Sequence, residues 1–439
     1  MDWLLPLTGI LGGVLFLFLI GVPVAFSFLA VNIIGVYIFW GGLSGLDQLI
    51  LSIYRSVANF SLIPIPLFIL MGEIMFLSGV APRMMETLDR WLGRVPGRLG
   101  LLAVGGGAVF ATLSGSAMSG CAMLGSTLVP EMERRGYKKP MSLGPILGAG
   151  GLAVMIPPSA LGVLLASLGR FSVGGLLIAI IVPGLIMALC YGLYIVGRCW
   201  LQPQLAPVYS APPIPLWEKL TLTVRYVLPL GLIIFLVIGL MIIGFATPTE
   251  SAALGVMGCF LLAFVYKRKV DLTLTKKSTA NALKITVMMF MILTGSTAFS
   301  QVLAFTGATR GLIELALGLD LPALMVIVLM MGILLVMGAF MEPLTIMMIT
   351  LPIFMPVVQS LGFDPIWFGV LMLLNMEMAT TTPPFGLVLF VMKGVAPPDT
   401  RMSDIYRAAI PFLLCDTVVL GLLLIFPQLS LWLPQLVRG

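Results

Sequence analysis

Apolar runs long enough to cross a bilayer, with no charge inside them, constrain this chain more than any other feature. Residues 173–197 and 226–247 contain no Asp, Glu, Lys or Arg, and a helix needs roughly 20 residues to span a hydrocarbon core of about 30 Å. By that criterion about a dozen such segments follow one another along the 439 residues. Apolar residues make up 60% of the chain and charged residues 10%, a balance that a water-facing surface of this size does not tolerate. The outer surface therefore faces a lipid bilayer, and the expected fold class is an all-α integral membrane protein.

The opening stretch has no basic n-region, since the first Lys or Arg is Arg55, so it reads as a retained span rather than a cleaved signal peptide. The five cysteines (Cys121, Cys190, Cys199, Cys259, Cys415) are scattered without CxxC spacing and fit core packing better than a disulfide framework. The chain has no His, which removes imidazole zinc sites, haem ligation and Ser–His chemistry together. An enzyme is not expected. The formal charge of +6 in a membrane chain reflects cytoplasmic loops rather than a nucleic-acid partner.

Basic residues fall in tight groups: 83, 90, 94 and 98; 134, 135, 138 and 139; 198, 219 and 225; 267, 268, 269, 276, 277 and 284; 393, 401 and 407. With all of these inside, 20 of 24 Lys and Arg are cytoplasmic, and only Arg55, Arg170, Arg310 and Arg438 are outside. Residues 99–132 then lie between two cytoplasmic clusters, yet two full spans plus a turn need roughly 40 residues. The segment reads as a re-entrant hairpin with its tip at Leu113-Ser114-Gly115-Ser116-Ala117, which is tolerated at membrane depth only where protein or water covers it.

Shifting the chain by 226 lays Gly106 on Gly332, Pro130 on Pro356, Gly136 on Gly362, Pro157-Pro158 on Pro383-Pro384 and Leu161 on Leu387 without a gap. One register held over some 50 residues marks an internal repeat. The second copy places a hairpin at about 321–360 with its tip at Phe340-Met341-Glu342-Pro343. Five crossings between the hairpins (141–168, 173–197, 226–245, 250–266, 283–305) put the second hairpin on the opposite face, so the repeats are expected to be inverted. Inverted halves with broken helices are the pattern of secondary transporters that bind ion and substrate near the midplane.

The first break runs Gly148-Ala149-Gly150-Gly151 to Ile156-Pro157-Pro158-Ser159, the second Asn375-Met376-Glu377 through Thr380-Thr381-Thr382-Pro383-Pro384. Proline donates no amide hydrogen, so carbonyls one turn earlier lose their partners and can serve a hard cation such as Na⁺. Pro-Pro can also merely kink a packed helix, and a Ser or Thr hydroxyl often bonds back to the carbonyl four residues earlier. Clustering at two matched breaks favours the site reading. The candidate ion and substrate ligands are Ser114, Gly115, Ser116, Ala117, Gly150, Gly151, Pro157, Glu342, Pro343, Glu377, Thr380, Thr381, Thr382 and Pro383. Among five acids in or beside apolar stretches (Glu73, Glu250, Glu342, Glu377, Asp416), Glu342 and Glu377 stand out, an intramembrane carboxylate being a functional candidate by default. Thr247-Pro248-Thr249-Glu250 reads instead as a structural capping box. No Lys or Arg falls mid-span, so an anionic solute would be held by helix N-termini and hydroxyls.

These motifs, with Gly21-Val22-Pro23-Val24-Ala25 and Gly362-Phe363-Asp364-Pro365, resemble the large membrane subunit of tripartite ATP-independent periplasmic (TRAP) transporters over nearly the whole chain. The resemblance implies an elevator-type, Na⁺-driven importer of a small solute, usually an organic acid, in the bacterial inner membrane. It also implies two partners, a separate small membrane subunit of about four helices and a periplasmic solute-binding protein. The rival is a stand-alone ion-coupled anion transporter or antiporter of related fold. The expected plan is N-terminal scaffold helices (1–60), a first repeat (61–198, broken helix about 141–168), linker and scaffold helices (199–275), a second repeat (276–431, broken helix about 364–392) and a tail (432–439).

Overall fold

The computed structural model describes all residues except 1–2, 94, 115–116, 208–214, 268–271, 319–320 and 439, and the side chains of 81, 110–114, 267 and 438. The described residues form helices, seven of them long and apolar enough to cross a membrane, with a bent pair that can count as an eighth span. The chain is a multi-pass membrane protein.

At its centre lie two helices that are buried over nearly their whole length. Lys139–Met155 is buried at every residue from 141 to 155, and Pro365–Thr381 at every residue from 366 to 381, as expected of helices apolar on all sides. Each ends at its Pro-Pro pair and is followed by a shorter helix, Ala160–Gly169 and Leu387–Val395 respectively. The first pair bends by 44°. Proline cannot supply the N–H that would continue the ladder, which is why both helices stop there. The central helices touch each other, and each is flanked by a helical hairpin. Arg98–Ser114 and Ala117–Arg134 pack on each other and on Lys139–Met155; Ala323–Gly338 and Pro343–Ser360 pack on each other and on Pro365–Thr381.

The register of 226 carries over to the helix bounds. Lys139 and Met155 map onto Pro365 and Thr381 (139 + 226 and 155 + 226), and Ala117 and Arg134 onto Pro343 and Ser360.

Small residues let large ones into this centre. A Cβ at Gly144 or Gly148 would come within 2.6 or 2.5 Å of the Phe412 ring, from helix Met402–Ile425. At one end of this bundle Lys139 bonds to Glu133 and Asp399 at 2.9 Å each and to the Thr400 hydroxyl at 2.8 Å, while Lys393 donates to the Thr400 carbonyl at 2.6 Å. The Lys139 hydrogen bond holds the exposed Asp399 carboxyl below the usual carboxylate range. These contacts tie the base of the first hairpin to the loop that follows the second broken helix.

A second group of helices surrounds Leu272–Phe305, which at 34 residues measures about 51 Å at 1.5 Å per residue. It packs against Val24–Phe39, Leu43–Val57 and Pro64–Ser78, and Pro64–Ser78 in turn packs against Pro248–Lys267. The helix begins well before residue 283, where the crossing was expected, so Lys276 and Lys277 are helical rather than in a loop. Straight-chain Lys and Ala are good helix formers, and the polar turns can continue beyond the lipid. Likewise helix Gln428–Arg438 continues through residues 432–438, packing on Val173–Ala179 and Ile181–Leu201. Thr247 and Glu250 form the reciprocal cap that opens Pro248–Lys267: Thr247 N–H donates to Glu250 Oε2 at 2.8 Å, and Glu250 N–H to Thr247 Oγ1 at 3.3 Å.

Candidate functional site

Where the two groups of helices meet there is a cavity of about 250 Å³. One wall is built from both hairpins and both breaks. Ala117, Met118 and Ser119 open the second arm of the first hairpin, and Glu342, Pro343 and Leu344 form the tip of the second; Val154, Ala160 and Leu161 flank one break, Thr380, Leu387 and Val388 the other. The opposite wall comes from Phe68, Ile69, Gly72, Glu73 and Phe76 on Pro64–Ser78, and from Ile285, Met288 and Met289 on the long helix.

The wall made by the hairpins and breaks is lined by pairs that stand 226 residues apart: Ala117 with Pro343, Met118 with Leu344, Val154 with Thr380, and Leu161 with Leu387. Beneath it a fifth such pair makes contact, because 151 + 226 is 377. Glu377 is 2% exposed, and its carboxylate fills the space that a side chain on Gly151 would need. Its Oε2 has no hydrogen-bond partner among the described residues. An uncompensated buried carboxylate oxygen costs several kcal/mol, about 2 to 7 for a neutral polar group and more when charged. A cation or a proton is the physical remedy.

The candidates thus separate by position. Ala117, Glu342, Pro343 and Thr380 line the cavity. Gly150 lies beside the first hairpin, its would-be Cβ 3.2 Å from the Ala117 carbonyl. Gly151 and Glu377 meet one layer deeper. Ser114 ends a described helix, its side chain lies outside the described ones, and Gly115 and Ser116 are outside the described residues. Pro157 is buried and Pro383 half-buried at their bends.

The threonines at the second break bond back to their own helix. Thr380 Oγ1 donates to the Glu377 carbonyl at 2.9 Å, Thr381 Oγ1 to Met378 at 3.1 Å, and Thr382 Oγ1 also to Met378 at 2.6 Å. These hydroxyls cover the Glu377 and Met378 carbonyls, whereas the carbonyls that Pro383 and Pro384 leave without an i+4 amide are those of Ala379, which accepts from the Thr382 N–H at 3.3 Å, and Thr380. Each hydroxyl keeps lone pairs for a cation, and of the three only Thr380 faces the cavity. Glu342 sits at the N-cap of Pro343–Ser360 with extended backbone and no side-chain hydrogen bond to the helix's first amides, its carboxylate accepting instead from the Thr345 side chain.

Sequence reasoning left Glu73 undecided and passed over Ser119 and the long helix. Glu73 lines the cavity from the facing wall and accepts a 2.9 Å hydrogen bond from Asn281. The available signal was a lone acid in an apolar helix. Across the boundary, the Ser296 hydroxyl donates to the Met348 carbonyl at 3.2 Å. That carbonyl is the one Pro352, four residues on, leaves without an amide partner.

The comparisons with known proteins agree with this architecture. The family profile described as "Tripartite ATP-independent periplasmic transporter, DctM component" matches residues 11–429. The C4-dicarboxylate TRAP transporter large permease protein DctM of Pseudomonas aeruginosa is 34% identical over 391 residues, covering 88% of this chain and 89% of that protein. The ectoine TRAP transporter large permease protein TeaC of Halomonas elongata is 28% identical over 96% of this chain and 97% of that one. Among solved structures, the Alcanivorax borkumensis YdaH transporter superposes with a TM-score of 0.63 over 88% of this chain and 90% of its own, at 15% identity, a likeness of fold.

Proposed function

Since the chain belongs to the DctM-component family of tripartite ATP-independent periplasmic transporters, we propose that this solute-transporter subunit imports a small organic acid across the bacterial inner membrane, driven by Na⁺. A separate small membrane subunit and a periplasmic binding protein that delivers the solute complete the system. The observation that carries this reading is the convergence of both hairpins and both helix breaks on one cavity.

The hairpins and broken helices form the moving part of an elevator, and the helices around Leu272–Phe305 form the wall it slides along. The contact between Gly151 and Glu377, positions equivalent in the 226-residue register, supports a local two-fold relation between the halves, as inverted repeats require. Na⁺ ligands come from Thr380, from hairpin-tip oxygens and from one of the two carboxylates, a hard oxygen set from which the ion can also leave. The solute carboxylate lies toward Pro343–Ser360, whose N-terminus faces the cavity.

The test is reconstitution of the chain with its two partners in proteoliposomes, followed by uptake of a labelled C4-dicarboxylate. The expected result is accumulation only with an inward Na⁺ gradient and only with the binding protein. Uptake that follows protons and ignores Na⁺, or that proceeds without a binding protein, would replace this reading with the stand-alone transporter.

A further inference from the structure

We propose that a second, cationic cavity receives a carboxylate-bearing solute before it reaches the central one, an inference that rests on the transporter reading. Its volume is about 630 Å³, and its lining includes Ser52, Arg55, Asn59, Arg170, Thr297 and Gln301. A neighbouring cavity of about 490 Å³ shares Asn59, Ser167 and Arg170 with it, so the two form one trough with Arg170 on both. Among the described residues no Asp or Glu lines either part. Among the described residues neither Arg55 nor Arg170 is ion-paired, whereas Arg310 bonds to Glu314 at 2.9 Å. Loop charge leaves only four Lys or Arg on this face, and two of them line one trough. A concave surface of one sign raises the local concentration of counter-charged solutes and speeds their arrival, and guanidinium groups match a carboxylate with paired hydrogen bonds.

Arg170 ends helix Ala160–Gly169 in a left-handed conformation, φ 58°, where glycine is the usual residue. A cation there also suits the helix's negative end, but Arg55 comes from another helix and reaches the same cavity without that reason. The buried side-chain oxygen of Gln301 has no hydrogen-bond partner among the described residues, so the solute class that fits carries a hydroxyl or N–H beside its carboxylate. The two cavities share walls. Helix Ala160–Gly169 lines the central cavity with Ala160 and Leu161 and the cationic one with Ser167; the long helix does so with Met288 and Thr297 respectively. Nine residues separate the latter two, about 14 Å of helix, so the cavities are stacked along the same two helices.

The experiment uses the full chain in sealed, right-side-out vesicles with Ser52→Cys as reporter and the unsubstituted chain as background. A sulfonate-bearing methanethiosulfonate added outside should react at least about tenfold faster than its trimethylammonium analogue, each relative to its rate with free thiol. Arg55→Gln and Arg170→Gly should each reduce that ratio several-fold; the second suits its backbone and so separates charge from folding. Malate, which carries a hydroxyl beside its carboxylate, should slow the labelling, and the phosphatidylglycerol content of the vesicles should not change it. Equal rates for the two reagents with no protection by malate overturn the anion site. Protection that follows phosphatidylglycerol and not malate overturns it in favour of a lipid headgroup. Labelling only from the cytoplasmic side overturns the receiving role and the orientation behind the transporter reading, while the reagent ratio still reports separately whether the cavity attracts anions.

Discussion

The two broken helices share a backbone and differ in chemistry. Both run 17 residues toward their Pro-Pro pair and both are buried from their second or third residue on, yet the first carries glycine where the second carries glutamate. Gly151 faces Glu377, and Val154 lines the cavity beside the equivalent Thr380. Two glutamates at the first pair would repel each other in a dry interior, and two glycines would leave a void. One large acidic residue against one vacant position fills the space and places a single carboxylate there. A repeat can thus keep its geometry while its halves differ in chemistry, with packing room on one side and polar side chains on the other.

Removing the charge should have the largest effect on this division. At equal membrane expression, Glu377→Gln is expected to lower Na⁺-driven uptake about a hundredfold, and Glu342→Gln by less. A carboxylate that must be neutralised at membrane depth carries at least about 2.5 kcal/mol. Full uptake by Glu377→Gln would mean that the carboxyl works protonated, and loss with Glu342→Gln alone would move the ion to the hairpin tip.

Filling the vacancy comes next. Gly151→Ala should destabilise the protein by about 1 to 3 kcal/mol through overpacking, read as a lowered melting temperature in detergent. Combining it with Glu377→Ala should recover most of that loss, because the substitutions share one space. Strictly additive losses would show that the two residues do not meet.

Making the second break resemble the first is a finer probe. Thr380→Val keeps the shape and removes the hydroxyl, as at Val154, and should raise the half-saturating Na⁺ concentration about two- to tenfold, the worth of a ligand at about 0.5 to 1.5 kcal/mol. Thr382→Val, outside the cavity, should leave that concentration within about twofold. Equal shifts for both would indicate a disturbed helix end rather than a lost ligand. The smallest effect is expected away from the comparison altogether, at the Thr247 cap. There Thr247→Ala should cost about 1 kcal/mol of stability and leave the Na⁺ dependence unchanged.

The sequence by itself determined what rests on local chemistry. Charge-free runs select a bilayer, proline without an amide hydrogen ends the helices at 155 and 381, and the 226-residue register reproduces the helix bounds because like sequences break in like places. It also marked Glu342 and Thr380, since a polar residue beside a break is costly wherever it sits. Tertiary structure decided which side chains face one another. That Glu377 lies beneath the cavity against Gly151, that Thr380 alone of the three threonines faces that cavity, and that Glu73 and the long helix supply the facing wall depend on the angle and depth at which helices pack. Those quantities are set by contacts between residues hundreds of positions apart, and no window along the chain contains both partners.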